Sequence, residues 1–352
     1  MRIPLSADHA ELPLVTVVIP CRNEARFVEA FLDSVMANDY PTDKLEILLI
    51  DGMSDDGTRD LVQKYLAACP QLRMVDNPRM IKPVALNMGI RESRGEIVVR
   101  LDVHAEYERS YISKCVRGLL DHPSADNVGG VLRSKPRDNN LIGRAIALST
   151  TDGFGAGNSK YRVGAAKPQW VDTVFGGCYR RSVFTKIGEF DEALTRAQDR
   201  EFNQRLRNAG GKILLLPDID CTYYARSDVG EFCSWIFEAG YWPYRASRLT
   251  GHWIGSWRNV VPSGFVLATA AGVSLGVVIP PVGLLTSMML GLYGIAAVYF
   301  SSRLAWRQRD PKLLFGMPLV FATTHVLYGI GSLWGMIDPL PKRDRQVERA
   351  VG

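Results

Sequence analysis

The sequence predicts an α/β protein with a mostly parallel sheet, followed by an amphipathic interfacial helix and C-terminal transmembrane helices. In the first 230 of its 352 residues, apolar runs of strand length alternate with segments whose apolar residues have helical spacing. From Asn259 to Ser302 the chain has no Asp, Glu, Lys or Arg, and Leu313–Ile337 has none either. Both stretches exceed the roughly 20 apolar residues that cross a bilayer. We therefore expect a membrane protein with a large soluble N-terminal part.

The soluble part has the pattern of consecutive βαβ units. Strands are predicted within 12–24, 44–58, 71–78 and 96–102, and helices within 25–38, 59–69 and 81–95. Units of this kind form parallel sheets, in which ligands bind beyond the carboxyl ends of the strands. Glu24, Asp51 and Asp102 follow three of these strands, so we expect a ligand site at that edge of the sheet.

Asp102 and His104 form an Asp-x-His pair where the fourth strand ends. Residues i and i+2 of a strand point to the same side. The carboxylate and the imidazole are therefore predicted to converge on one ligand, for which a divalent metal is the obvious candidate. The same motif also arises from a turn Asp followed by a surface His, so the pair alone does not decide the site.

Composition and motifs exclude several classes of protein. The net charge of +5 is modest and no basic stripe is interleaved with aromatic residues, so nucleic acid is not an expected partner. The chain lacks GxGxxG after the first strand and lacks GxxxxGK[ST], which argues against a dehydrogenase and a phosphate-loop NTPase. The first residues, MRIPLSADHAELP, contain no apolar signal-peptide core, so we expect no cleavable signal peptide. The six cysteines show no paired spacing, which indicates reduced thiols in a cytoplasmic domain and no zinc site.

Several segments in series carry a family resemblance: VTVVIPCRNE, LLIDGMSDDGT, ALNMGI with VVRLDVHAEY, VFGGCYRRSVFTKIGEFDE and AQDREFNQRLRNAGGKI. Their order and spacing across roughly residues 14–225 resemble those of the inverting family 2 glycosyltransferases, which have the GT-A fold. The subgroup that the chain looks most similar to is the succinoglycan-type glucosyltransferases, membrane-anchored enzymes of bacterial exopolysaccharide assembly. This resemblance implies a UDP-sugar donor, a divalent cation and a polyprenyl-diphosphate-linked acceptor.

The resemblance assigns the donor nucleotide to two loops. Asp51 matches the residue that accepts a hydrogen bond from the uracil imide. Asp55 and Asp56, which follow it, are expected to shape the turn by bonding its backbone. The first nucleotide-contacting loop is matched by Pro20, Arg22, Asn23 and Glu24.

The resemblance also assigns the metal. Asp102 matches the first position of the family's Asp-x-Asp motif, and His104 stands where the family has the second Asp. Such a cation neutralises the leaving diphosphate. Because imidazole is a borderline ligand, it favours Mn²⁺ over Mg²⁺. Glu106 is either a third or water-mediated ligand or a solvated loop charge. Arg180 and Arg181 either meet phosphate or lie in water.

The acceptor and the general base are matched by the last two segments. Gly176 and Gly177 correspond to the acceptor-site segment, and glycines let another chain or a ligand approach the backbone closely. Asp199 matches the general base that removes the proton of the acceptor hydroxyl, so that a single displacement inverts the anomeric carbon. Gln198 stands beside it, where the family has Glu, and is assigned to the acceptor.

Residues 229–258 are dense in aromatic residues, which favour the headgroup level of a bilayer. We expect an amphipathic helix in the membrane interface. Tyr241, Trp242 and Arg245 are candidates for closing over the diphosphate, and Trp242 is also assigned to the acceptor. The chain lacks the Gln-x-x-Arg-Trp motif of the family's processive synthases, which argues against a processive polymerase.

The predicted domains are a cytoplasmic catalytic domain, 1–228, the interfacial region, 229–258, a transmembrane region, 259–340, and a basic tail, 341–352. Membrane spans are predicted near 260–279, 282–301 and 313–337, with Pro280-Pro281 at the first hairpin turn. Three crossings put the tail outside, although its basic residues favour the cytoplasm. Either the tail departs from that rule or the last segment is re-entrant.

We therefore expect an enzyme of the inner (cytoplasmic) membrane that transfers one sugar, glucose from UDP-glucose, to a polyprenyl-diphosphate-linked glycan. Two alternatives stay open. One is a processive synthase of the hyaluronan or chitin type, and the other is a degenerate, non-catalytic membrane scaffold. The residue pattern does not determine the donor sugar, the acceptor linkage or the oligomeric state.

Overall fold

A computed structural model describes residues 12–340 of the chain, which divide into two units. The sheet unit comprises the described residues up to Val229 together with Phe300–Phe321. The helical unit comprises Gly230–Tyr299 and the described residues from Ala322 onward. Residues 1–11 and the predicted basic tail, 341–352, lie outside the described residues.

The sheet unit is built on one mixed sheet, with nine strands in the described range. In chain order they are β1 (Val15–Cys21), β2 (Leu45–Asp51), β3 (Leu72–Asp76), β4 (Ile97–Arg100), β5 (Ala105–Tyr107), β6 (Asn127–Pro136), β7 (Gln169–Trp170), β8 (Cys178–Arg180) and β9 (Ile213–Ala225). Their spatial order is β3-β2-β1-β4-β8-β6-β9-β5, and β7 also pairs with β9.

Strands β1 to β4 are mutually parallel, with β1 between β2 and β4 and with β3 beside β2. This half of the sheet confirms the predicted βαβ units. The other half is mixed. Strand β8 runs antiparallel to β4 and β6, and β5 and β7 run antiparallel to β9. Antiparallel neighbours need no crossover helix, so these short strands are compatible with the loops that join them.

Helices cover both faces of this sheet. They are α1 (Val28–Met36), α2 (Thr58–Ala68), α3 (Lys82–Glu92), α4 (Tyr111–Asp121), α5 (Leu141–Ser149), α6 (Gly153–Ala156), α7 (Lys160–Val163), α8 (Ser182–Ile187) and α9 (Gln198–Asn208). Because successive strand residues point to opposite faces, β1 contributes to two cores. Val17 packs in one core with Phe31 of α1. Val18 packs in the other with Leu86 of α3 and Phe202 of α9.

Four further helices follow: α10 (Val229–Thr250), α11 (Trp257–Gly276), α12 (Pro280–Gln308) and α13 (Leu313–Ile337). The last three are long and apolar enough to cross a membrane, and they coincide with the three predicted spans. Pro280 opens α12 at the predicted turn, where its missing N–H leaves no helical hydrogen bond unmade.

Small residues bring α11 and α12 into close contact within the helical unit. A Cβ added to Gly272 would lie 2.1 Å from Thr286 Oγ1, and one added to Gly276 would lie 2.6 Å from Gly283 Cα. Close backbone approach at small residues is a common way for helices to pack in membranes. The two helices therefore form a tight hairpin.

The segment Phe300–Phe321, which comprises the end of α12, the loop after it and the start of α13, belongs to the sheet unit. Two salt bridges attach it: Arg303–Asp152 and Arg144–Asp310. The ring of Phe154 in α6 stacks on that of Phe300, with the centroids 4.6 Å apart. The apolar pattern of 259–340 does not indicate this attachment.

Candidate active site

The carboxyl ends of β1, β2 and β4 meet at one edge of the sheet, as the alternating pattern predicts. Cys21, which follows Pro20 at the end of β1, is in register with Asp51 at the end of β2. The N–H of Gly52 donates to the Cys21 carbonyl at 2.7 Å. The stem of Arg22 lies over Gly52, where an added Cβ would come within 3.1 Å of it. The two loops that follow β1 and β2 are therefore adjacent.

Reciprocal hydrogen bonds fix the loop after β1 to the turn after β2. Asn23 Nδ2 donates to Asp55 Oδ1 at 2.9 Å, and the N–H of Asp55 donates to Asn23 Oδ1 at 3.1 Å. Asp56 accepts hydrogen bonds from the N–H groups of Ala25 and Thr58, both at 3.0 Å. Partial burial opposes ionisation of Asp56, but these hydrogen bonds outweigh it and hold its pKa below the usual value. Asp55 and Asp56 thus hold the turn together.

Asp51 is enclosed, with 0% of its side chain exposed. Its Oδ1 accepts a hydrogen bond from Ser54 Oγ at 2.6 Å, and its Oδ2 accepts one from Arg59 Nη1 at 2.6 Å. A uracil imide would reach this carboxylate only in exchange for one of these partners. The nucleotide roles assigned to Asp51 and to the loop after β1 stay predictions.

Asp102 lies two residues beyond β4 and is held by two cations. Lys82 Nζ is 2.6 Å from Oδ1, and Arg100 Nη2 is 3.0 Å from Oδ2. Burial by itself would raise the pKa of the Asp102 carboxyl, but Arg100, Lys82 and His104 outweigh it and hold this pKa well below its usual value. Asp102 is therefore ionised at neutral pH, as a cation ligand must be.

His104 lies in a turn, because β4 ends at Arg100 rather than at the predicted Asp102. The alternation expected of a strand therefore does not orient this pair. His104 is nevertheless close enough for its charge to lower the pKa of Asp102. Its Nδ1 lies 3.1 Å from Glu24 Oε1, which leaves Nε2 as the nitrogen that is able to bind a metal. Metal-binding histidines usually have their other ring nitrogen held by a carboxylate in this way.

A divalent cation fits this donor set. Asp102 offers an ionised carboxylate and His104 offers an imidazole nitrogen oriented by Glu24. Within residues 12–340, no group of three or more His, Cys, Asp and Glu side chains surrounds a metal position. Two protein ligands leave the other coordination positions to diphosphate oxygens and water, which is common for cations that act with phosphate substrates.

Asp199 lies in the first turn of α9, where the helix dipole favours a carboxylate. Its side chain is 40% exposed, and its Oδ2 lies 3.9 Å from Arg100 Nη1. Ala197, immediately before the helix, has φ of 62°, a strained conformation of the kind that clusters at functional sites. Gln198 beside it is buried. Through Arg100, the predicted metal ligand Asp102 and the predicted base are brought to one place.

Gly176 and Gly177 pack against the end of β4. Their φ angles are 66° and 112°, which favour glycine. A Cβ on Gly176 would lie 2.7 Å from the carbonyl oxygen of Arg100. The N–H of Arg100 donates to the Gly177 carbonyl at 2.9 Å. Close backbone packing thus requires both glycines, and their acceptor role stays a prediction.

Arg180 and Arg181 adopt neither of the two expected arrangements. Arg180 Nε donates to the Ala125 carbonyl at 2.9 Å. Arg181 Nη1 donates to Ser93 Oγ at 3.1 Å and to the Gly95 carbonyl at 3.3 Å. Both guanidinium groups therefore hold loops of the sheet unit together.

The remaining candidates also have partners. Glu106 lies in β5, and its Oε1 accepts a hydrogen bond at 2.9 Å from a tyrosine hydroxyl of β9. In the helical unit, Arg245 Nη1 donates to Asp338 Oδ2 at 2.8 Å, and the hydroxyl of Tyr241 also bonds Asp338. The ring of Trp242 packs edge-on to Tyr241, with the centroids 5.5 Å apart. The diphosphate role of Arg245 and the acceptor role of Trp242 stay predictions.

Three basic residues at the site were missed by reasoning from the sequence. Lys82 and Arg100 bind Asp102, and Arg59 binds Asp51. Arg100 does leave a signal, because it is a charged residue in the otherwise apolar strand IVVR. Lys82 and Arg59 lie at the beginnings of α3 and α2, where a basic residue has no distinguishing pattern.

Comparison with known proteins decides the family. Residues 16–188 match the model of glycosyl transferase family 2. The chain carries a family 2 glycosyltransferase domain. This glycosyltransferase is 26% identical over 310 residues to the succinoglycan biosynthesis protein ExoA of Rhizobium meliloti (strain 1021), over 87% of this chain and 90% of that protein.

A second relative comes from Methanococcus voltae. It is a dolichyl N-acetyl-alpha-D-glucosaminyl phosphate 3-beta-D-2,3-diacetamido-2,3-dideoxy-beta-D-glucuronosyltransferase, 26% identical over 331 residues, which cover 92% of this chain and 97% of that protein. Among solved structures, the mannosyltransferase PcManGT of Pyrobaculum calidifontis, in complex with GDP-Man and Mn²⁺, matches with a TM-score of 0.55 and 23% identity, over 93% of this chain and 89% of that one. The predicted family, enzyme class and GT-A-like fold are thus confirmed.

Proposed function

We propose that this glycosyltransferase transfers one glucose from UDP-glucose to a polyprenyl-diphosphate-linked glycan, with inversion, in the assembly of an exopolysaccharide repeat unit. The observation that carries the proposal is the convergence of Asp102 and Asp199 on Arg100. The two relatives support the class of acceptor, since one is named for succinoglycan biosynthesis and the other for a dolichyl-linked sugar phosphate.

On the donor side, Asp102 and His104 hold a divalent cation that, when bound, neutralises the charge of the departing UDP. Mn²⁺ is our favoured ion because of the imidazole ligand, and a mannosyltransferase of similar fold was solved with Mn²⁺. Glu24 orients His104 through Nδ1. The loop of Pro20, Arg22 and Asn23, joined to the Asp51 turn, forms the wall for the nucleotide.

On the acceptor side, Asp199 is the general base. Its half-exposed carboxylate takes the proton of the acceptor hydroxyl while the hydroxyl oxygen attacks the anomeric carbon. The bond from that carbon to the UDP oxygen breaks, and UDP leaves with the electron pair. One displacement inverts the configuration, so an α-linked donor gives a β-linked product.

We place the reaction at the cytoplasmic face of the inner membrane. Three helices suited to cross a bilayer support membrane attachment. The six cysteines are free thiols, four of them buried, which is typical of a reducing compartment. A polyprenyl-linked acceptor is held in the bilayer, so an enzyme that uses it has to work at the membrane surface.

The test offers labelled UDP-sugars to the purified enzyme in lipid vesicles that contain lipid-linked acceptors, with Mn²⁺, Mg²⁺ or EDTA. For wild type we expect transfer of glucose with a metal ion and none with EDTA. For Asp199→Asn we expect kcat to fall by about 10²–10⁴-fold, because proton removal is lost, while UDP-glucose binding stays nearly unchanged.

The matched control is Asp191→Asn. Asp191 is a surface aspartate close in sequence whose Oδ1 accepts a hydrogen bond from Ala193 N–H at 2.9 Å, and this variant should transfer like wild type. An Asp199→Asn enzyme with wild-type kcat would contradict the assigned base. Long polymers made from single acceptors would favour the processive alternative, and no UDP release with any donor would favour the scaffold.

A further inference from the structure

Arg100 is the one charged residue of the buried strand β4. It ends the buried strand β4, and its side chain is 6% exposed. Nη2 donates to Asp102 Oδ2 at 3.0 Å, and Nη1 lies 3.9 Å from Asp199 Oδ2. A buried guanidinium is tolerated only where nearby negative charge and hydrogen bonds compensate for lost hydration. The compensating groups here are the proposed cation ligand and the proposed base.

Packing alone does not account for an arginine at this position. Its Nε and Nη1 are buried and have no hydrogen-bond partner among residues 12–340. A buried donor without a partner destabilises the folded state. Replacing a whole buried ion pair by apolar residues of similar volume is often neutral or stabilising. Stability of the fold therefore does not by itself require a buried Arg100–Asp102 pair.

The backbone of Arg100 is fixed by the segment assigned to the acceptor. Its N–H donates to the Gly177 carbonyl at 2.9 Å, and Gly176 packs against its carbonyl oxygen. The side chain therefore begins from a constrained point. Arg100 is the residue at which the glycine pair, Asp102 and Asp199 all meet.

We propose that Arg100 is a positioning residue for glycosyl transfer, which holds Asp102 with one arm of its guanidinium and Asp199 with the other. This inference rests on the proposed function. The guanidinium is planar and rigid, so its two arms fix the separation of the two carboxylates. In transfer, that separation sets how far the acceptor hydroxyl stands from the departing UDP.

Lys82 offers an informative comparison. Its ammonium also contacts Asp102, at 2.6 Å, but its side chain is 32% exposed and its only salt bridge within the described chain is with Asp102. Lys82 thus contributes charge at the donor side without a link to the base. The two residues should differ in their energetic coupling to Asp199.

The first measurement compares Arg100→Met and Arg100→Lys with wild type, using the full-length enzyme in vesicles and the UDP-sugar that wild type transfers fastest. We expect Arg100→Met to lower kcat by about 100-fold, as misplacement of a reacting group by about 1 Å does. Its KM for the donor should rise much less. Its Tm should fall, because Asp102 keeps Lys82 but loses its other cation, so kcat is compared for the folded fraction of each enzyme. Arg100→Lys keeps the charge but not the two-armed guanidinium, so its kcat should lie between those of wild type and Arg100→Met.

The second measurement is a double-mutant cycle with Asp199→Asn. If Arg100 acts partly through Asp199, adding Arg100→Met to the Asp199→Asn enzyme should lower its residual kcat by a clearly smaller factor than it lowers that of wild type, and the loss that remains comes through Asp102. Lys82→Met should instead lower kcat by the same factor with and without Asp199. Equal losses from Arg100→Met in both backgrounds would overturn the inference.

The matched structural control is Arg180→Met, in the neighbouring strand β8, because the guanidinium of Arg180 binds only backbone carbonyls within residues 12–340. It should lower Tm without lowering the kcat of the folded enzyme. If Arg100→Met fails to fold, the kcat of Arg100→Lys is compared with that of Arg180→Lys instead. Equal kcat values for these two variants would reject the proposal. An active Asp199→Asn enzyme would contradict the proposed function, whereas an inactive one beside a fully active Arg100→Met would contradict this inference alone.

Discussion

His104 is the residue at which the proposed metal motif departs from the family pattern given above. The structure gives this substitution a supporting contact, since Glu24 holds Nδ1 at 3.1 Å. An imidazole favours softer divalent ions than a carboxylate does, and Glu24 adds to its basicity. The choice of metal should therefore depend on this one side chain.

We predict that His104→Asp shifts metal preference towards Mg²⁺, because it restores the all-oxygen ligand set that Mg²⁺ prefers. The ratio of kcat/KM with Mn²⁺ to that with Mg²⁺ should fall by about tenfold or more, within the range known for changes near metal ligands. Initial rates over a series of both metals measure it. An unchanged ratio would show that His104 does not bind the ion.

Single residues differ in how far the sequence predicts them. Asp102 and Asp199 are predicted from motifs of the family that the chain resembles, which have a carboxylate at a strand end and another at a helix start. Lys82, Arg100 and Arg59 were not found, because the partner of a buried carboxylate is chosen by the fold rather than by sequence spacing. Any basic residue that reaches the carboxylate satisfies it.

Among the secondary-structure elements, the loop before β8, which contains Gly176 and Gly177, requires a particular backbone conformation. Gly176 has φ of 66°, and an added Cβ would meet the Arg100 carbonyl oxygen at 2.7 Å. A backbone atom is not free to move aside as a flexible side chain is. The glycine pair therefore couples the loop directly to β4, the strand that leads to Asp102.

We predict that Gly176→Ala lowers the free energy of unfolding by about 2 kcal/mol or more, through left-handed strain and the clash with β4. It should also lower kcat, since it displaces Arg100. Gly153→Ala is the control, because nothing lies within 4 Å of its added Cβ. Denaturant unfolding and initial rates measure both effects. Equal stability of the two variants would contradict the argument.

The parallel half of the sheet was predictable because each strand and helix there is long enough to show its period. The region from 108 to 170 was not assigned from the sequence, although α4, β6 and α5 within it are of ordinary length. It also contains α6 and α7, with four residues each, and β7, with two. Elements this short have no complete period of apolar residues, so only their tertiary contacts define them.

For the chain as a whole, the C-terminal end of α13 bears on membrane topology. In the helical unit, Arg245 and Arg248 both donate to the Asp338 carbonyl, at 2.9 and 2.6 Å. A Cβ on Gly331 would lie 2.1 Å from the Phe237 carbonyl oxygen, so α10 and α13 are in backbone contact. Within the described residues, α10 is not among the helices suited to cross a membrane. If α10 lies in the membrane interface, as the sequence predicts, we expect the end of α13 to lie at the same membrane face.

We predict that α11 and α12 cross the membrane and that α13 begins and ends at the same membrane face. Residues 300–321 belong to the sheet unit, and only residues 226–228 join β9 to α10, too few to cross a bilayer. Both ends of α13 are then cytoplasmic, which agrees with the basic tail. Hydropathy alone leaves this choice open, because it reports how apolar a segment is and not what the segment is attached to.

Labelling of single cysteines with an impermeant maleimide, in a cysteine-free background, measures this topology. Val278→Cys, in the turn between α11 and α12, should react from the periplasmic side. Arg309→Cys and a cysteine added after Gly352 should both react from the opposite side. A C-terminal cysteine that reacts together with Val278→Cys would establish three crossings instead.

The contact between Arg303 and Asp152 also determines how a water-soluble form of the enzyme has to be made. Stopping the chain at residue 229 removes Arg303 and Phe300. The buried Asp152 carboxylate then loses its cation, and the Phe154 ring loses the ring that stacks on it. Ending the chain at residue 229 would therefore destabilise the sheet unit that it is intended to isolate. A form in which a short linker joins residue 229 to residues 300–321 keeps all parts of the sheet unit.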